Sequence, residues 1–370
     1  MVTQADTRHM AQALSLASRG LGNCWPNPAV GCVIVKDKRI IGRGWTQPGG
    51  RPHAETRALA QAGARARGAT VYVTMEPCAH HGQTPPCAEA LIKAEVARVV
   101  TALTDPDQRV SGKGHALLRQ AGIQVSEGVM EQQAAVLNRG FLLRVREGRP
   151  LVTLKLATSF DGRIATASGE SQWITGPQSR RRVHMMRAQH DAVMVGAGTA
   201  RADDPSLTVR DLGIRHQPVR VVCSRNLDIP LTTNLARTAE EVPLWLCHGP
   251  DAPGELCQAW QNLGARLFEI PLGADGMLET SSLFRALADA GITRVFCEGG
   301  AALAGALLSA GLVDELVGFT AGMTLGGDGW PAVVPMRLEK LENAPRFHPV
   351  ETTRVGEDVM HRWVRSGQVP

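Results

Sequence analysis

Three side chains suited to a soft divalent metal, His53, Cys78 and Cys87, stand far apart in the chain, in runs that alternate between strand-like and helix-like patterns. One imidazole and two thiolates can share a tetrahedral ion only if those runs fold so that separate helix starts face each other. Such a set leaves the fourth position of a zinc open to water. Glu55, two residues after His53, is not needed as a ligand and is free to move protons.

The surrounding pattern supplies the required elements. Met10, Leu14 and Ala17 recur at helical spacing over residues 7–19, and Gly20 and Gly22 act as a stop. Pro26-Asn27-Pro28 breaks the chain before an apolar strand at 29–35, which turns through Lys36-Asp37-Lys38 into a hairpin partner at 39–44. After His53, the residues Ala54, Ala58, Leu59 and Ala62 predict a helix ending at Gly63, with His53 and Glu55 on its first turn. A strand at 69–74, a helix from Cys87 to Lys93, a strand at 96–103 and a helix at 116–121 follow. The order predicts an α/β three-layer domain with the metal between two helix starts.

At 370 residues the chain is long enough for two domains, each with its own core. The charged stretch 144–150 ends in Gly and Pro and reads as a linker, giving expected domains of 1–146 and 151–367. The second half shows strand-like runs at 151–157, 192–195, 219–222, 244–247 and 294–297, with helical stretches such as 179–188 and 283–290 between them. That alternation predicts a largely parallel sheet with helices on both faces. Gly196-Ala197-Gly198-Thr199 and Glu298-Gly299-Gly300-Ala301 each follow a strand and open a helix, where free backbone N–H groups can cradle a phosphate.

Charge narrows the partners. A net +5 drawn from 40 basic and 35 acidic residues suits an anionic small molecule and gives little support to nucleic-acid binding, the more so with Tyr72 as the sole tyrosine. The one basic cluster, Arg180-Arg181-Arg182 with Arg187, reads equally as a solvated helix face or a phosphate contact. Eight scattered cysteines do not form a secreted disulfide pattern, the N-terminus has no apolar signal core, and no run is long enough to span a membrane. A reduced, cytoplasmic protein is expected.

Taken singly, His53 and Glu55 read as a helix start with an acidic residue favoured by the dipole, and Cys78 and Cys87 as core cysteines. Their joint order is that of a zinc hydrolytic deaminase, in which Glu55 would take a proton from zinc-activated water and pass it to the leaving amine. Eight residues separate the two cysteines, where nucleoside and tRNA deaminases have two. The run Glu76-Pro-Cys-Ala-His-His-Gly-Gln-Thr-Pro-Pro-Cys87, with Pro26-Asn27-Pro28-Ala29-Val30-Gly31 and Gly49-Gly50-Arg51-Pro52-His53-Ala54-Glu55, resembles the deaminase half of the bifunctional riboflavin-biosynthesis deaminase/reductase family. The resemblance implies deamination at C2 of 2,5-diamino-6-(5-phosphoribosylamino)pyrimidin-4(3H)-one, with Asn27, His80 and Asp105 as substrate contacts. Gln83 stands where a Lys can occur and Asp107 where Asn is usual, which puts the recognition of the phosphate in question.

In the second half, Lys155-Leu-Ala-Thr-Ser-Phe-Asp-Gly-Arg163, Ser171-Gln-Trp-Ile-Thr-Gly176, Asp203-Asp-Pro-Ser-Leu-Thr-Val-Arg210 and Glu298-Gly-Gly300 look like the reductase half of the same family. Its fold is similar to dihydrofolate reductase. The implied reaction is reduction by NADPH of the ribosyl group of 5-amino-6-(5-phosphoribosylamino)uracil to ribityl. On that resemblance Ala157, Trp173, Thr199, Asp203, Ser224, Gly300, Ala301, Ala302 and Leu303 serve NADPH, and Ser171, Arg187, Leu207, Arg210 and Glu298 hold the substrate. Arg187 and Arg210 can each grip a phosphate with two N–H groups, while Trp173 is also readable as core and Arg187 as a solvated face. Lys155 and Asp203 are the candidates for assisting proton transfer to the sugar. A homo-oligomer, dimer or tetramer, is expected. Two rivals are an RNA-modifying deaminase with an RNA-binding second half, and a chain in which one half is a non-catalytic remnant. The first lacks a basic aromatic surface; the second is at odds with the complete residue sets in both halves.

Overall fold

Short apolar strands alternating with small-residue helices build two large sheets of different construction, besides one two-stranded sheet in the second half. The computed structural model describes residues 2–80, 85–107 and 110–366, so Gln83 lies outside the described residues. The chain divides into two compact units, one ending at Gly148 and one starting at Arg149.

In the first unit α1 (Gln4–Ala17) precedes β1 (Gly31–Lys36), β2 (Arg39–Trp45), α2 (Ala54–Ala62), β3 (Thr70–Met75), α3 (Cys87–Lys93), β4 (Arg98–Leu103), α4 (Lys113–Gln120), β5 (Gln124–Ser126), α5 (Glu131–Leu137) and α6 (Arg139–Glu147). The sheet order is β2-β1-β3-β4-β5, with β1 antiparallel to both neighbours and β3, β4 and β5 mutually parallel. α1 starts earlier than its apolar spacing predicts because Thr3 and Asp6 close a capping box. The same Asp6, buried, accepts from Arg98 and from the Tyr72 hydroxyl at 2.8 and 2.9 Å, and so ties α1 to β3 and β4. Residues 144–147, expected in a linker, are the last turn of α6. Leu142 and Leu143 bury one side of that helix, Arg144 and Arg146 favour its carboxyl end, and Gly148 closes it in the left-handed conformation at φ 66°.

The placement of α2 depends on what β2 lacks. A Cβ on Gly42 would stand 2.3 Å from the Ala58 carbonyl oxygen, and one on Gly44 would stand 2.1 Å from that of Ala54. The helix backbone therefore lies directly on the strand, and the start of α2 is fixed by main-chain contact.

The second unit contains β6 (Leu151–Ser159), β7 (Arg163–Ala165), α7 (Pro177–Ala188), β8 (Ala192–Gly196), α8 (Ala197–Asp203), β9 (Val219–Cys223), α9 (Asn234–Arg237), β10 (Leu244–His248), α10 (Gly254–Asn262), β11 (Arg266–Glu269), α11 (Thr280–Asp289), β12 (Arg294–Cys297), α12 (Ala301–Ser309), β13 (Glu315–Ala321), β14 (Trp330–Pro331), β15 (Phe347–Val355) and β16 (Asp358–Arg365). Its nine-stranded sheet runs β11-β10-β9-β8-β12-β6-β13-β16-β15. The strands from β11 to β13 are parallel, as the βα alternation predicts, and β16 and β15 add an antiparallel edge. That edge is not evident in the sequence because β15 is mostly exposed and carries no apolar run. The buried Asp314 accepts from both terminal nitrogens of Arg149, at 2.8 and 3.0 Å, and from the Val152 N–H at 2.8 Å, which anchors the start of β6 in mid-sheet. Among the described residues no helix is long and apolar enough to cross a membrane.

Gly44→Ala should force α2 away from β2 and cost about 1–3 kcal/mol of stability. A lowered urea midpoint together with reduced zinc content is the expected result, and a chain with unchanged values of both would refute the close packing.

Candidate functional site

His53 is the N-cap of α2, with extended backbone (φ −66°, ψ 162°), and Glu55 lies in the helix's first turn. β3 delivers Glu76, Pro77 and Cys78 from its end, and Cys87 is the first residue of α3. His53 Nδ1 stands 3.3 Å from Cys87 Sγ and 3.7 Å from Cys78 Sγ, and the three ligand atoms all lie within 4.8 Å of one another. Zinc bonds of about 2.0 Å to nitrogen and about 2.3 Å to sulfur at a tetrahedral angle place such atoms about 3.5 Å apart. The donor set therefore fits zinc in both chemistry and spacing.

Charge around the donors is shared. The Cys87 thiol beside it, with help from His53 and from the Cys87 N–H at 3.3 Å, holds Cys78 down at about 4 against its burial. Cys87 is pushed well up by that neighbouring sulfur and by burial. The pair carries one negative charge until a dication displaces the second proton. Burial, working against the pull of His53, lifts Glu55 to about 7, a range in which a carboxyl takes and returns a proton near neutrality.

The expected substrate contacts lie on segments that adjoin those of the donors. Asn27 is half-buried against the loop that leads to His53, where a Cβ on Gly50 would stand 1.7 Å from its Nδ2. His80 is exposed and near enough to Asp105 for its charge to act there. Asp105 is raised by burial, its Oδ1 accepts from the Asp107 N–H at 2.9 Å, and its own N–H donates to Glu76 Oε2 at 3.1 Å. Sequence reasoning assigned Glu76 no role beyond the motif. Its signal was an acidic residue at the inner end of a buried strand.

In the second unit, opposite charges alternate. Arg187, in the last turn of α7, donates from Nε and Nη2 to the two oxygens of Glu298, the second at 3.1 Å, and from Nη1 to the Thr208 carbonyl at 2.8 Å. Its guanidinium is thus directed at Glu298 and Thr208, and it is not a solvated face. Lys155 Nζ stands 3.9 Å from Glu298 Oε2. Burial lowers the Lys155 pKa against Glu298 and Asp203, and burial raises Asp203 against Lys155. Glu298, despite burial, is held below the usual range by Arg187 and Lys155. His184, on the same helix, lies 3.1 Å from the Thr208 carbonyl and receives the Arg210 N–H at 3.3 Å; Arg210 itself is exposed.

Five of the expected cofactor residues, Thr199 and Gly300 to Leu303, lie at two adjacent junctions. β8 and β12 pair directly, so α8 and α12 start side by side. The Gly196 N–H donates to the Gly299 carbonyl at 3.0 Å, and a Cβ on Gly300 would stand 3.0 Å from Thr199 Oγ1. Ala301 and Leu303 are half-buried and Ala302 exposed on the first turn of α12; Ala157 is half-buried on β6. Trp173 is 65% exposed with the Arg180 guanidinium 4.5 Å above its ring, which excludes a core role. Ser171 is half-buried in the loop before α7, and that helix start is held by Asp358, which accepts from the Gly176 N–H at 2.8 Å and from the Ser179 hydroxyl. Two residues offer chiefly backbone. Leu207 is buried at φ 54° among apolar side chains, and the buried Ser224 hydroxyl donates to Asp228 at 2.8 Å.

A family model described as the cytidine and deoxycytidylate deaminase zinc-binding region matches residues 3–103, and one described as the RibD C-terminal domain matches residues 150–361. The chain is 46% identical over 362 residues to the riboflavin biosynthesis protein RibD of Escherichia coli (strain K12), covering 96% of this chain and 98% of the relative. It is 37% identical over 360 residues to that of Aquifex aeolicus (strain VF5), covering 97% and 98%. Among solved structures, Acinetobacter baumannii RibD, form 2, superposes with a TM-score of 0.88 at 40% identity, covering 98% of this chain and 99% of the other. A diaminohydroxyphosphoribosylaminopyrimidine deaminase/5-amino-6-(5-phosphoribosylamino)uracil reductase from Thermotoga maritima gives 0.85 at 33% identity, with the same coverage.

Cys87→Ser replaces one thiolate by a hydroxyl that stays protonated near neutrality. Metal analysis of the purified chain should show most of its zinc lost, whereas retention of a full complement would remove Cys87 from the ligand set.

Proposed function

The chain belongs to the RibD family, a zinc-dependent deaminase joined to an NADPH-dependent reductase in riboflavin biosynthesis, and from that premise we propose which of its residues perform each step. Residues 1–146 are assigned to deamination and 151–367 to reduction. The observation that carries the first assignment is the convergence of one imidazole and two sulfurs beside a buried carboxyl.

His53, Cys78 and Cys87 hold zinc, which when bound makes water acidic enough to yield its proton near neutral pH. A Glu55 carboxylate oxygen takes a proton from the water whose oxygen bonds to C2 of the diaminopyrimidine and returns it to the amine as the C2–N bond breaks and ammonia leaves, so C2 keeps the oxygen and the carboxyl ends the cycle as it began. Asn27, His80 and Asp105 orient the ring and its sugar on the open side of the donor set.

In the second unit NADPH supplies the hydride. Thr199, Gly300, Ala301, Ala302 and Leu303 form its phosphate-binding junction, which the adjacent starts of α8 and α12 support. Ala157, Trp173, Asp203 and the backbone at Ser224 complete the cofactor site. Arg187 orients Glu298 toward the sugar, and Lys155, beside Glu298, donates from Nζ the proton that accompanies hydride addition. Ser171, Leu207 and Arg210 hold the remainder of the substrate, with the exposed Arg210 as a cation for its phosphate. The scattered spacing of the eight cysteines supports a reduced cytoplasmic setting. The exposed outer strand β15 supports assembly with a second copy.

Glu55→Gln should keep its zinc and lose deamination by roughly two to four orders of magnitude, while reduction of the deaminated substrate continues. Deamination near the native rate would exclude Glu55 as the proton carrier. For the reductase, the protonated form of Lys155 is the active one and burial lowers its pKa, so kcat should fall with rising pH below the ordinary lysine value of 10.5. A kcat–pH profile of Lys155→Ala that keeps the same alkaline fall would reject Lys155 as the donor.

A further inference from the structure

Glu76 stands at an inner junction of the deaminase unit. Its N–H extends the β3–β4 ladder by one rung, donating to the Leu103 carbonyl at 2.7 Å. Its side chain is fully buried. Oε2 accepts from the N–H groups of Asp105 and Gly112 at 3.1 and 3.0 Å, and Oε1 from those of Gly114 and His115 at 2.8 and 3.3 Å. Four backbone donors converge on one carboxylate, two to each oxygen. A glutamine has the same shape but accepts at one oxygen only, so it would leave two of the four facing a donor.

A second contact closes the same gap. A Cβ on Gly114 would stand 2.0 Å from the Pro77 carbonyl oxygen, so the 112–115 backbone lies against the residue between Glu76 and Cys78. His115 is held in turn by Glu127 at 3.1 Å and Thr101 at 3.0 Å. The segment bearing a metal ligand is thereby bolted to the segment bearing Asp105.

We propose that Glu76 is a positioning residue for deamination: its carboxylate sets Asp105 at a fixed place relative to Cys78, and so sets how the substrate sits over the metal. The inference rests on reading Asp105 as a substrate contact. A merely structural carboxylate would alter stability or zinc content; a positioning one alters substrate affinity with the metal in place.

The test uses the full chain loaded with zinc. Glu76→Gln, Asp105→Ala and the double variant are compared by ammonia release without NADPH, by zinc content, and by reduction of the deaminated substrate. Glu76→Gln should raise the deaminase KM about tenfold while kcat changes less than about threefold, with zinc and reductase activity unchanged. The double variant should be little worse than Asp105→Ala, because both act through one contact. A native KM in Glu76→Gln, an additive double variant, or loss of zinc as the sole defect would each overturn the inference. If Asp105→Ala itself leaves KM unchanged, the reading of Asp105 fails first and the inference falls with it. Gly114→Ala separates the same two segments with the carboxylate intact. Should Glu76→Gln not fold, a raised KM with zinc retained in Gly114→Ala supports the proposal and a native KM overturns it.

Discussion

Main-chain contact between α2 and β2 governs the deaminase site. Because Gly42 and Gly44 carry no side chains, the helix rests on the strand within carbonyl distance, and the imidazole at its N-cap is held by the sheet. α3 begins on its own ligand, Cys87, and β3 ends just before Cys78. Three ligands from three segments can meet only when each segment is placed to within a fraction of an ångström, and packing of backbone on backbone provides that placement with few rotatable bonds. The buried Glu55 lies on the first turn of the same helix that His53 caps.

The reductase unit uses a different device. Lys155, Glu298, Arg187 and Asp203 come from strand, junction, helix and helix end, and alternate in sign. Burial penalises the charges of Lys155, Glu298 and Asp203; attraction between opposite charges offsets part of that penalty, and removal of one partner would leave its neighbours exposed to it. Asp314, with Arg149 and the Val152 N–H, plays the corresponding structural part at the other end of β6. β6 thus carries a fixed anchor at its start and Lys155 further along.

Much of this was legible from residue order. Motif and spacing placed the zinc ligands and Glu55 because metal chemistry restricts both residue type and geometry, and several parallel strands of the second half, such as β8 and β10, are largely buried and read as short apolar runs. Other features depended on partners remote in sequence. Residues 144–147 look like a linker by composition, and only the burial of Leu142 and Leu143 shows that they end a helix. β15 is nearly all exposed, so no pattern announces it. The pairing of Arg187 with Glu298 joins residues 111 apart, so no local pattern announces it. Trp173 was also readable as core, which its exposure excludes. Glu76 was in plain sight within the motif, but its four donors lie dozens of residues downstream.

Two chemistries in one chain imply an order, since the reductase substrate is the deaminated product. The most direct measurement supplies the zinc-loaded chain with 2,5-diamino-6-(5-phosphoribosylamino)pyrimidin-4(3H)-one, with and without NADPH, and follows ammonia and NADPH absorbance together. Ammonia should appear at the same rate in both samples, and NADPH should be consumed only after a lag that matches the build-up of deaminated product. Consumption of NADPH before ammonia appears, or deamination that requires NADPH, would contradict the account.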